Sequence, residues 1–259
     1  MTYQPTAISD DLDSLPKLPA WVTSGRAETL ETVAFRSGAA LTVLDQLVSG
    51  RRHGVPVKLL ANRLALTAAT ATSKLEGRMA REVDIRDAYH LTPPGEARGP
   101  DGDLLVLWRE AGRIRLTGRD WQAALGGLTG PDPVAEADNS LKAGVARART
   151  HGPLAACVSV MRAVLEVDDR AERIACLLSD IVLARTLGWP SLLPITAQYL
   201  TKAMLRDLVA EGQGAELAIQ RRLLESVEDT IRVLRDLAVR AAALNEIAPK
   251  LRVSWSRNS

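Results

Sequence analysis

Leu217, Leu224, Ile231 and Ala238 fall seven residues apart near the end of the chain, and Val227, Leu234 and Ala241 form a second row beside them. Seven residues are close to two helical turns, so both rows run along one face of a single long helix. The spacing predicts that helix over 215–247, with Arg221, Arg222, Asp229 and Arg232 elsewhere around it and Pro249 as its stop. Intrinsic propensity contributes only about a few tenths of a kcal/mol per residue, so such a helix is stable when its apolar face is covered. Other helices of the same chain can cover it, and so can a second copy in a homodimer.

Composition agrees with helices throughout. Aromatic residues are 3 % of the 259 residues, with one Phe, and Arg far outnumbers Lys. A β-sandwich or barrel core leans on aromatic and β-branched residues, whereas this chain leans on Ala and Leu. Apolar residues at 46 % and charged residues at 25 % exclude a wholly disordered chain. The expected fold is all-α, a multi-helix bundle of nine or ten helices ending in the long one.

The order of elements follows from caps and breakers. Residues 1–20, with three prolines and three aspartates, read as a flexible acidic arm. A helix capped by Thr23 or Ser24 runs to Gly50, and a second starts after Pro56 and stops at Gly77. A short helix covers 83–90. Residues 92–103 form a loop, and Asp103 caps the next helix. GGLTGPDP (126–133) marks a boundary between an N-terminal helical subdomain, 21–130, and a C-terminal one, 131–250. Helices follow near 134–149, 153–167, 170–187 and 194–210, and 251–259 is a tail.

Several chemistries lack their residues. Cys157 and Cys176 sit in apolar stretches and read as buried thiols, and His53, His90 and His151 are scattered, so no metal site and no cofactor are expected. No phosphate-binding loop, dinucleotide fingerprint or G-x-S-x-G elbow occurs. No apolar run approaches the ~18–20 residues of a membrane span. The start of the chain has no basic or apolar leader pattern, and a cytoplasmic protein is expected.

Charge is uneven. Residues 1–50 carry net −3, residues 51–119 net +5, and the remainder balances. The basic segment is either an anion- or DNA-facing patch or a solvated surface on which Arg pairs with Asp and Glu. Within it, residues 59–76 partly mimic a helix–turn–helix, with Ala65 at the turn and Thr67 opening a recognition helix. The same residues suit one unbroken helix. Asp87 and His90 lie three apart on a helix, and with Glu76 they are the candidate acid–base group if the chain is an enzyme. Trp108, Trp121 and Trp189 read as fillers of helix junctions, and Trp255 in the tail as an aromatic anchor for a partner.

Two resemblances add to this. Thr72, Glu76 and Gly77 in TSKLEG form T-x-x-x-E-G, which with the following REVDIRDAY resembles the inhibitory-helix region of Fic-type AMP transferases. That resemblance implies a carboxylate pairing with an Arg that otherwise grips phosphate. The transferase core motif is absent, so the segment would act on another protein. The plainer reading is that Glu76 pairs with a nearby Arg and Gly77 ends the helix. Over the whole chain, SKLEGR (73–78), RDAYHLTPPG (86–95), GPDGDLL (99–105), WR (108–109), LGWPSLLP (187–194) and APKLR (248–252) are similar in order to an uncharacterised all-helical family of alphaproteobacteria, often plasmid-borne. The resemblance implies a bacterial setting and brings no activity. The leading expectation is a non-catalytic binding or regulatory protein with a protein partner, using Glu76, Arg78, Arg81, Arg86 and Trp255, the three arginines sharing a face with Glu76. The alternatives are a DNA-binding protein reading through 59–76 and an enzyme with a site near Glu76, Asp87 and His90.

Overall fold

The computed structural model describes the backbone of residues 15–49 and 55–255, and the side chains of these apart from 131–138, 246 and 248–255. Residues 1–14 of the acidic arm, Gly50, His53 and residues 256–259 lie outside the described residues. Among the described residues there are eleven helices and no strand: α1 (Ala20–Thr23), α2 (Leu30–Ser49), α3 (Val57–Leu75), α4 (Glu82–Leu91), α5 (Gly99–Ala111), α6 (Trp121–Thr129), α7 (Pro131–His151), α8 (Pro153–Val167), α9 (Glu172–Leu187), α10 (Lys202–Val209) and α11 (Ala215–Trp255).

The helices pack in two groups with α11 running along both. Helices α3, α4 and α5 pack on one another, and so do α7, α8 and α9; α6 joins them by touching α5 and α7. α11 packs on α2 and α3 and also on α8 and α10. Its two sevenfold rows supply Leu224, Ile231, Ala238, Val227 and Leu234 to the core, as the spacing predicts. One contiguous apolar cluster reaches from Leu15 to Ala238 and includes residues on both sides of 126–133. Among the described residues, no helix is long and apolar enough to cross a membrane.

Polar ties fix this packing. Arg36 on α2 makes a forked pair with Glu228 on α11, Nε to Oε1 at 2.5 Å and Nη2 to Oε2 at 2.7 Å. Arg221 donates to the carbonyl of Ala27, and Arg235 Nη1 donates to the carbonyls of Leu15 and Pro16 at 2.7 and 2.8 Å. The last residues of the expected loose arm are therefore held, because Leu15 is buried and its carbonyl has a charged donor. The three tryptophans fill junctions: Trp108, Trp121 and Trp189 are buried, and the indoles of Trp108 and Trp189 donate to Thr72 Oγ1 and Asp45 Oδ1.

Several expected boundaries move. Neither Thr23 nor Ser24 caps α2; α1 ends there, and Thr29 does the work, its Oγ1 accepting from the N–H of Thr32 at 3.3 Å. Asp103 lies inside α5, which starts at Gly99 because Pro100 is tolerated in a first turn. No helix begins at 194. Residues 188–201 form a buried irregular strap held from α9 by Asp180, whose Oδ1 accepts the N–H groups of Ile195 and Thr196 at 3.0 Å each. Thr201 then caps α10 through the N–H of Met204. Pro249 does not stop α11, which continues to Trp255. A proline removes one ladder bond and bends a helix, and the backbone can resume beyond it. The expected tail over 251–255 is thus helical.

Candidate functional site

The end of α3 is where the residues singled out by sequence meet. Gly77 adopts φ +80°, a left-handed conformation that glycine takes without strain. The N–H of Gly77 bonds the carbonyl of Lys74 at 3.0 Å, and the N–H of Arg78 reaches back to Ser73 at 2.8 Å. This paired closure of a helix end returns the chain over the last turn. It brings Arg78 beside Glu76, Nη2 to Oε2 at 2.7 Å. Arg78 Nε also donates to Asp101 Oδ1 at 2.9 Å, which accepts from Ser73 Oγ at 2.8 Å. Glu76 Oε1 lies 3.3 Å from Arg173 Nε at the start of α9.

Two arginines and two carboxylates balance here, and they tie the ends of α3, α5 and α9 together. The Glu76 side chain is 16 % exposed and lies within ion-pair distance of two arginines of its own chain. The geometry therefore matches the plainer reading of TSKLEG, a carboxylate paired with nearby arginines above a glycine stop. Asp101, Ser73 and Arg173 were not singled out by sequence. Asp101 lies inside the GPDGDLL segment, but nothing local marks it as a partner of a residue 23 positions earlier.

The other expected site residues do not join this cluster. Arg81 makes a forked pair with Asp84, both contacts at 2.9 Å, and Asp84 also accepts the Arg81 N–H, closing the start of α4. The Arg81 hydrogen bonds hold the Asp84 carboxyl below its ordinary value. Arg86 pairs with its neighbour Asp87 at 2.9 Å. His90 is exposed and stands edge-on to Tyr89, with ring centroids 4.9 Å apart. Asp87 is taken up by Arg86, and Glu76 by Arg78 and Arg173. Trp255 is the last residue of α11, and its side chain lies outside the described ones.

The helix–turn–helix expectation fails at its turn. α3 runs unbroken from Val57 to Leu75, and Ala65, the proposed turn residue, is buried in mid-helix. Lys74 is exposed, as one helix requires and as a second, separately packed helix would not allow. Among the described residues no group of three His, Cys, Asp or Glu is placed to hold a metal ion. Cys157 and Cys176 are free and buried, and burial raises both thiols well above their ordinary value.

What α4 does present is apolar surface. Of its ten residues Ile85 alone is buried. Val83 on the helix is 38 % exposed, Leu91 at its end 75 %, and Met79 just before it 78 %. Arg81 and Arg86 are exposed among them, each with an acidic partner. Tyr89 of the same helix has the guanidinium of Arg109 4.3 Å from its ring centroid and that of Arg98 at 5.5 Å.

No curated protein and no solved structure matches this chain. A family model described as protein of unknown function (DUF1403) matches residues 6–258.

Proposed function

We propose, for a chain that belongs to the DUF1403 family and takes no activity from that membership, a non-catalytic role in which the α4 surface docks a protein partner. The observation that carries this reading is the exposure of Met79, Val83 and Leu91 on and beside a helix with a single buried residue. Exposed large apolar side chains beside exposed charged ones suit a protein-docking surface. Arg81 and Arg86 are the charged rim. Glu76 and Arg78 act from beneath, holding the end of α3 from which the α4 segment leaves.

The docking reading is tested with a photo-crosslinking residue at position 91 in the tagged full-length chain, in extract treated with nuclease. Capture of one defined protein, lost in Met79→Glu and in Val83→Glu, supports it. The same capture in both variants, or none at all, overturns it. Nucleic acid recovered before nuclease and lost with rising salt moves DNA ahead of a protein partner, with a surface other than a helix–turn–helix.

A second copy is the other reading with an observation behind it. Val239, Leu244 and Ile247 are 50 %, 67 % and 48 % exposed on α11, beyond the last core residue Ala238. Sedimentation of the wild type and of Leu244→Glu separates this from the α4 surface. A dimer that dissociates only in Leu244→Glu assigns self-association to α11.

A further inference from the structure

Arg147 on α7 and Arg162 on α8 line one small hollow together with Ser159 and Glu216. The helices meet closely there. A Cβ added at Gly144 would stand 2.7 Å from Val160 Cγ2 and 3.2 Å from Val182 Cγ2, so α7 lies tight against α8 and α9. Arg147, three residues further on, emerges at the edge of that contact against α8. The hollow has a volume of about 90 Å³. It shares Arg162 and Glu216 with a larger open hollow of about 390 Å³ walled partly by Leu30 and Leu217.

The arginines lack acceptors. Among the described residues the Arg147 guanidinium has no hydrogen bond or ion pair, and its Nε is buried. Arg162 Nε is also buried without an acceptor, and its nearest carboxylate oxygen, Glu216 Oε2, is 4.0 Å from Nη2. That is beyond hydrogen-bonding distance. The other Glu216 oxygen already accepts from Gln220 Nε2 at 3.1 Å. Buried polar groups are almost always satisfied, so two buried Nε atoms without a protein acceptor in one hollow point to a group that supplies oxygen. Two positive charges face one negative in the small hollow. The beginning of α11 at Ala215 adds the positive end of a helix, and Ser159 adds a hydroxyl.

We propose that this hollow binds a small oxyanion, a phosphate or carboxylate group, held by Arg147 and Arg162 with Ser159. The planar fork of a guanidinium matches both anions. Glu211 lines only the larger hollow and leaves the positive excess of the small one in place. A free anion fills the small hollow, and a phosphate monoester extends its organic part between Leu30 and Leu217. This site is separate from the α4 surface and stands or falls independently of it.

The test is calorimetric titration of the full chain with sodium phosphate, sodium acetate and glycerol 3-phosphate, at an ionic strength fixed with sodium chloride. Saturable binding of at least one of them is expected, weakened about tenfold or more in Arg147→Gln and in Arg162→Gln and unchanged in Arg149→Gln, an exposed arginine of the same helix. Glycerol 3-phosphate binding tighter than phosphate assigns a monoester, and equal affinity assigns the free anion. Should the Gln variants unfold, Arg147→Lys and Arg162→Lys keep the charge and lose the fork, and weaker binding with an unchanged circular dichroism spectrum supports the site. No saturable heat from any of the three anions overturns the proposal, and so does equal affinity in the wild type and the folded variants.

Discussion

Asp180 gives the structure its clearest pH signature. Its carboxyl is 1 % exposed, with Oδ1 accepting the N–H groups of Ile195 and Thr196 and Oδ2 buried without a partner. Burial disfavours the charge and outweighs the hydrogen bonds that favour it, so the group is pushed up to about 8. In the unfolded chain an aspartate ionises near ~4. Between those values the folded state holds a proton that the unfolded state has released. Stability from this group is therefore fully present below pH ~4 and is lost as pH rises towards 8, at up to about 1.4 kcal/mol per unit. Asp180→Asn keeps an oxygen for both N–H groups and removes the titration. The excess stability of the wild type over the variant should fall by up to about 4 kcal/mol between pH 5 and 8 and level off above 9. Urea unfolding of both proteins at each pH measures it. A difference that stays constant from pH 5 to 8 refutes the reasoning, since it means that the two N–H bonds hold the carboxylate ionised despite its burial.

Two further outcomes follow from the α3 end. Thr72→Val, nearly the same shape, leaves the indole N–H of the fully buried Trp108 without its acceptor and should cost about 1–3 kcal/mol in urea unfolding. Glu76→Ala frees Arg78 and Arg173, both about a third exposed, and should cost only about 1 kcal/mol, with Glu76→Gln costing less; unchanged unfolding midpoints would remove these pairs from the account of stability.

What could be read in the sequence was local or periodic. The seven-residue rows of α11 mark its buried face, prolines and glycines mark both ends of α7, the start of α8 and the end of α9, and Gly77 marks the end of α3. The two cysteines are buried as their apolar neighbours imply. What could not be read depends on partners distant in sequence. Residues 194–201 of the strap look like the start of a helix until Asp180, on α9, takes the N–H groups of Ile195 and Thr196. α6 is hidden because Gly126 and Gly127 imitate a loop, yet Trp121 and Leu125 bury one face of it. The same applies to the sites. Glu76 and Arg78 are adjacent enough to pair by inspection, whereas Arg173 reaches Glu76 from another helix. Arg147 and Arg162 carry no local signal, because their hollow is assembled by three helices.

The pairing of α2 with α11 has a consequence for how the chain is made. α2 buries Val33, Ala40, Leu41, Leu44 and Leu47, and the helix that covers this face, α11, follows all the other described helices in the chain. At about 5–20 residues per second, the segment between Ser49 and Ala215 takes roughly 10–30 s to synthesise. For that time an apolar helix face waits without its mate, and a product that terminates before Ala215 never receives it. The forked Arg36–Glu228 pair then acts as a late seal, formed only once α11 has followed α2 out of the ribosome.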